Sequence, residues 1–199
     1  MKIKNSLIIS IMIVSSFAEI KAQEDERKHE ISIGIGVWST SNLSFALGDA
    51  LVNAIDFAGN VKFEDQTASP AYHISYKYFP TQKFSIGATM TAGSEKATGR
   101  IENQYDGSLK RIYSNIAIEP AYTYLNRKYF KLYVLAGVGL LYLHQDYTPN
   151  NGNKNKQSLY TADFQITPIG IKVGNTLGAY LEGGIGYKGI VSIGLFYKL

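Results

Sequence analysis

The last stretch of the chain, Val191–Leu199, constrains the fold most. Val191, Ile193, Leu195, Tyr197 and Leu199 fall at every second position, with Ser192, Gly194, Phe196 and Lys198 between them. Successive side chains of a strand point to opposite faces, so a period of two predicts a strand with one continuously apolar face. An apolar face of that length needs cover. Either a protein core or lipid must supply it, and the rest of the chain decides between them.

Residues 1–22 read as a secretory leader and not as part of a fold. Lys2 and Lys4 form a basic start, Leu7–Val14 is apolar apart from Ser10, and Lys21-Ala22-Gln23 offers a cleavage point after Ala22. That leaves residues 23–199 as one domain. Removing Lys2, Lys4, Lys21 and Glu19 from 20 basic and 16 acidic residues leaves 17 and 15, a near-balance that argues against nucleic-acid binding. There is no cysteine, which excludes disulfides and thiolate metal sites. No later segment approaches the roughly 18 consecutive apolar residues of a membrane helix. Glycine (19) and tyrosine (15) are abundant, as a transmembrane barrel would have it, because only every second residue of such a strand faces lipid.

The alternation recurs eight times, over about 29–38, 71–79, 83–91, 109–124, 130–142, 160–173, 177–187 and 191–199. Ile31, Ile33, Ile35 and Val37 against Glu30, Ser32, Gly34 and Gly36 give its clearest instance. Bulges are expected at Pro120 and Pro168, since proline has no N–H for a ladder. Between the strands, 39–68, 93–107 and 147–157 read as long polar loops. Within the first, Leu43, Leu47, Ala50, Leu51, Ala54, Ile55 and Ala58 recur at helical spacing, with Ser44 as N-cap and Gly59 as stop. This predicts a short amphipathic helix, either packed at the barrel mouth or serving as a lid.

Long connections follow the first, third and fifth strands, and short turns follow the others. That asymmetry, with an even strand count, is expected of a barrel whose long loops lie outside the cell. Aromatics collect towards both ends, Tyr76, Tyr78, Phe84, Tyr122, Tyr124 and Tyr197 at one and Trp38, Tyr142, Tyr147 and Tyr160 at the other. Two such bands suit two membrane interfaces. The expectation is an all-β, eight-stranded antiparallel transmembrane β-barrel, with its apolar faces outward.

The stretches Glu182-Gly-Gly-Ile-Gly-Tyr187 and Ser192-Ile-Gly-Leu-Phe-Tyr197, together with the leader, resemble the small outer-membrane β-barrel proteins of Gram-negative bacteria, the outer-membrane protein X-like barrels. Ser192, Gly194, Tyr197 and Leu199 resemble the C-terminal assembly signal of such barrels, with Leu199 where many members have Phe. The resemblance implies residence in the cell outer membrane among its lipids, and insertion by the barrel-insertion machinery. It does not imply one function.

An eight-stranded barrel has an interior that side chains fill, so no open pore is expected. Glu30, Lys77, Glu119, Glu182 and Lys198 fall on the inward face, with Arg111 nearer the outer end. Buried charges must pair, and Glu30 is expected to meet Lys198 because the first and last strands close the barrel. His29, His73 and His144 lie on different segments, without metal-ligand spacing. Gly184-Ile-Gly-Tyr-Lys-Gly189 spells a dinucleotide fingerprint, but a strand follows it where that motif requires a helix. No catalytic, cofactor or metal residue is therefore assigned.

The reading is a non-enzymatic monomer with an envelope-structural role, or one of surface interaction with an extracellular partner through its loops. Two alternatives stay open. One is a lipid A-modifying enzyme, with His144 and Ser158 brought together across the third loop. The other is a soluble periplasmic barrel whose isoleucines point inward.

Overall fold

The computed structural model describes residues 27–40, 61–101, 104–150 and 154–199. The leader and the helix expected in the first loop lie outside the described residues. Nine strands run in chain order: β1 (His29–Val37), β2 (Val61–Ala68), β3 (Ala71–Tyr78), β4 (Phe84–Ile101), β5 (Gln104–Asn126), β6 (Phe130–Pro149), β7 (Asn155–Gly174), β8 (Leu177–Gly186) and β9 (Val191–Lys198). All pairings are antiparallel.

β1 pairs with both β3 and β9, and β4 pairs with β5, so the sheet closes on itself. β2 pairs with the far half of β4 and β3 with its near half. The two share one place in the barrel, broken at Ser69-Pro70, where proline removes a ladder donor. Nine strands therefore make an eight-stranded barrel.

The alternation orients every strand the same way. Ile31, Ile33 and Ile35 are 42, 56 and 43 % exposed, while Glu30 and Ser32 between them are buried. β3 repeats the pattern with Tyr72, Ile74, Tyr76 and Tyr78 outside and His73, Ser75 and Lys77 inside. Ile193, Leu195 and Tyr197 of β9 also face out. An exterior of isoleucine, valine, leucine and tyrosine around a polar interior is stable only in hydrocarbon, and a closed barrel leaves no backbone group there unpaired. The chain is thus a transmembrane barrel of the outer-membrane type. The soluble barrel with inward isoleucines is excluded.

Strand length separates two regions. β1, β3, β8 and β9 have 9, 8, 10 and 8 residues, close to the roughly 9–11 that cross a bilayer. β4, β5, β6 and β7 have 18, 23, 20 and 20. Their excess, with β2, forms a five-stranded fin in the order β2-β4-β5-β6-β7 beyond the apolar band. This corrects the three long loops. Residues 93–101, 104–107, 147–149 and 155–157 continue the ladders, and part of the first loop is β2. Polarity there does not mark the end of the strand: 155–162 of β7 are exposed on both faces, whereas Glu95, Ala97, Leu109 and Arg111 of β4 and β5 stay buried on the inner face.

Two prolines behave differently. The β5–β6 register is unbroken across Pro120, from Ile118↔Val138 to Ala121↔Leu135, and shifts instead between Thr123 and Leu125. The bulge expected at Pro120 is therefore absent from that ladder: the missing donor costs a bond without adding a residue. At Pro168 the register does shift on both sides of β7. Asp163, Gln165 and Thr167 point inward before it, Gly170 and Lys172 after it. The bulge moves the inward face from odd to even numbers.

Candidate functional site

Three groups of side chains could do chemistry. The first fills the lumen. Glu119 and Glu182, on the facing walls β5 and β8, are both buried. Lys188 joins them, its Nζ 2.8 Å from Glu119 Oε1 and 3.3 Å from Glu182 Oε2. Tyr187 donates to Glu119 (2.8 Å) and Tyr133 to Glu182 (2.7 Å). Lys77 lies 4.0 Å from Glu182. Each carboxylate so meets a cation and a phenol, which compensates for its burial.

Lys188 belongs to the turn between β8 and β9, which folds into the barrel rather than away from it. Gly186 (φ 146°) and Gly189 (φ 103°) adopt backbone that other residues rarely take, and Gly189 N donates to Gly186 O at 3.0 Å. The glycines of the dinucleotide-like string thus make this inward turn. Beside it, where Ile190 N donates to Val37 O at 2.9 Å, Trp38 (φ 56°) turns the chain after β1 over the lumen. There Thr40 donates to Asp163 (3.0 Å), which also accepts from Asn115 (3.3 Å). Ser39 contacts Tyr113 at 3.3 Å. The barrel is plugged from within.

Glu30 and Lys198 stand opposite each other in the β1–β9 register. Glu30 also forms an ion pair with Lys172. The bulge at Pro168 turns Lys172 inward, where its ammonium also lies over the rings of Tyr133 and Phe196, 5.2 Å from each. Lys198 Nζ lies 5.2 Å from the Phe79 ring. Towards the outer end Arg111 meets Glu95 at 3.7 Å and donates to Gln145 at 2.9 Å. His73 Nε2 is the centre of a further polar group, 2.7 Å from Tyr180 OH and 3.3 Å from Ser192 Oγ. Gly34 must be glycine here, since a Cβ would come within 2.6 Å of that imidazole.

Sequence reasoning missed Lys172 and Lys188. Pro168 was the signal for the first, because simple alternation from Asp163 would have sent Lys172 into lipid. The second sits in a turn, where periodicity assigns no face.

The second group is the C-terminal strand. Ser192 and Gly194 face the lumen, whereas Tyr197 and Leu199 are 49 and 53 % exposed on the lipid side. The Leu199 N–H donates to His29 O at 2.8 Å, tying the last residue to β1.

The third group lies outside the barrel on the fin. His144 and Ser158 are cross-strand partners. His144 Nδ1 is 2.9 Å from Ser158 Oγ, and its Nε2 is 3.2 Å from Asp146 Oδ1. Asp146, two residues on, shares the His144 face. The rings of Tyr142 and Tyr160, 4.9 Å apart and tilted by 41°, sit one step nearer the membrane. A serine, a base and a carboxylate in contact are the parts of an activated nucleophile. Acyl transfer also needs donors aimed at the developing oxyanion.

No family model matches the chain, and no curated protein matches it. Among solved structures it is similar to Ail, the attachment invasion locus protein of Yersinia pestis, in complex with the heparin analogue sucrose octasulfate: 11 % identity, TM-score 0.46, covering 87 % of this chain and 96 % of that one. Ail by itself gives 13 % identity and a TM-score of 0.44, covering 87 and 95 %. The N-terminal β-barrel domain of Pseudomonas aeruginosa OprF gives 14 % and 0.40, covering 87 and 98 %.

Proposed function

We propose that the chain is a non-enzymatic, monomeric outer-membrane protein that acts at the cell surface through its fin. The carrying observation is the fin's surplus length. Ladders continue well beyond the apolar band, which anchoring alone does not require. Among the described residues, β7 pairs with β8 only from Gln165 onward, so 155–163 present an open strand edge. On the outer face Lys96, Lys110, Asp146 and Lys156 lie in one row across four strands. A rigid, mostly cationic face at that height suits an anionic extracellular partner.

The test is adhesion of expressing cells to dextran sulfate and to neutral dextran. Adhesion to the sulfated surface alone, lost when Lys96, Lys110 and Lys156 become glutamate, supports the reading. Equal adhesion of both strains rejects it. Ser192, Gly194, Tyr197 and Leu199 serve as the assembly signal in this reading, and the lumen charges hold the barrel together.

The Ser158–His144–Asp146 contact favours one second reading, a lipid-modifying enzyme working at the outer interface. Mass spectrometry of lipid A from expressing cells decides it. A mass change that Ser158→Ala abolishes would establish the enzyme, and unchanged lipid A removes it.

A further inference from the structure

On the outer face of the fin, a histidine touches the one acid of the lysine row. Lys96 stands opposite Lys110, Lys110 opposite Asp146, and Asp146 opposite Lys156. The three lysines are exposed. Two like charges directly opposite each other, as at Lys96 and Lys110, cost stability. The row keeps that pair and yet sets a carboxylate among its cations, which lowers its positive charge. His144 lies two residues before Asp146 on the same face, and its Nε2 is 3.2 Å from Asp146 Oδ1.

The contacts of His144 allow it to take up a proton without moving. A neutral imidazole has one N–H and one acceptor nitrogen, whereas the charged ring has two N–H groups. The Nε2–H can donate to Asp146 in either state. Nδ1 lies 2.9 Å from Ser158 Oγ. It accepts from that hydroxyl when the ring is neutral and donates to it when the ring is charged, since a serine oxygen serves both ways. Among the described residues, β5 presents Ile112 opposite the ring and Lys110 one step above. β7 presents Ser158 and Lys156 in the same positions, and β6 itself adds Tyr142 and Asp146. Lys96 stands one strand further on. Histidine is the side chain that ordinarily changes charge between about pH 5 and 8.

We propose that His144 is a pH switch on the fin: its protonation offsets Asp146, so the lysine row holds an anionic surface more tightly in mildly acidic surroundings. Three lysines and Asp146 give the patch a formal charge of +2, and protonated His144 makes it +3. The change is one of charge at fixed geometry, on a ladder that stays as it is. The switch rests on the cationic-face reading and adds its regulation.

The test is surface plasmon resonance of the barrel, in phosphatidylcholine nanodiscs, over dextran sulfate and neutral dextran. It is run at about pH 7.5 and about pH 5.5, at one low ionic strength. Dextran sulfate keeps its charge at both, so a change belongs to the protein. The switch predicts roughly two- to fivefold tighter binding at the lower pH, the range that one exposed charge contact supplies, and a smaller gain as salt is raised. His144→Gln, uncharged at both values, should bind alike at both. Asp146→Asn should bind more tightly than the wild type already at the higher pH. Heat-modifiable migration checks that each variant is folded. A His144→Gln barrel that still tightens on acidification overturns the proposal, as does an Asp146→Asn barrel that matches the wild type at the higher pH. Wild-type binding that is equal at both values overturns the switch alone and leaves the cationic face standing. No wild-type binding to dextran sulfate at either value overturns the cationic face, and the switch with it.

Discussion

The membrane band and the fin are built from the same strands and continuous ladders, yet their side chains follow different rules. In β5, Ile116 and Ile118 face lipid and Asn115 and Glu119 face the lumen. Six residues before Ile116 in the same strand, Lys110 stands outside, opposite Asp146. The backbone does not distinguish the regions. The solvent does: hydrocarbon demands an apolar exterior and forces every polar side chain inward, while water beyond the interface lifts the demand. A given substitution should therefore cost energy according to its face and height, and hardly according to its strand.

The comparison breaks most readily in the lumen. Glu119→Ala leaves Lys188 with one carboxylate and Tyr187 without its acceptor, so urea unfolding of the barrel in lipid vesicles should show a loss of about 3–5 kcal/mol. Glu119→Gln with Lys188→Met removes both charges, leaves Glu182 to Lys77 and Tyr133, and should recover part of that. Equal losses for the single and double variants would mean that the ion pair is not what these residues supply. On the lipid face, Ile33→Lys, at the centre of β1, should cost about 2–4 kcal/mol in the same assay. On the fin, Lys110→Ala should change stability by no more than about 0.5 kcal/mol, since its neighbours are solvated. A fin variant as damaging as the lumen one would erase the distinction between the regions.

The same contrast explains how much the sequence disclosed. The band was legible because alternation there is enforced: Ile31, Ile33 and Ile35, or Tyr72, Ile74 and Tyr76, assign their own faces. The fin reads as loop because polar residues stand on both of its faces, Glu95 and Arg111 buried inside and Lys96 and Lys110 exposed outside, although the hydrogen bonds persist. Within the candidate sites, the inward placement of Glu30, Lys77, Glu119, Glu182 and Lys198 followed from parity, but their partners did not. Lys172 depended on one extra residue at Pro168, and Lys188 on a turn that folds inward. The neighbourhood of His144 and Ser158 could be foreseen from the hairpin they share. Asp146 went unnoticed, since alternation marks a face and not a hydrogen bond.

The central claim is that the isoleucines meet hydrocarbon and the serines between them meet the lumen. The chain has no cysteine, so single-cysteine spin labels can be placed without background. The decisive measurement is label accessibility to oxygen and to a water-soluble nickel chelate in nanodiscs, at residues 31–35, 72–76 and 192–195. The account predicts oxygen-accessible, nickel-protected labels at Ile31, Ile33, Ile35, Ile74 and Ile193, alternating with oxygen-poor labels at Ser32, Ser75 and Ser192. The reverse alternation, or none, would contradict it.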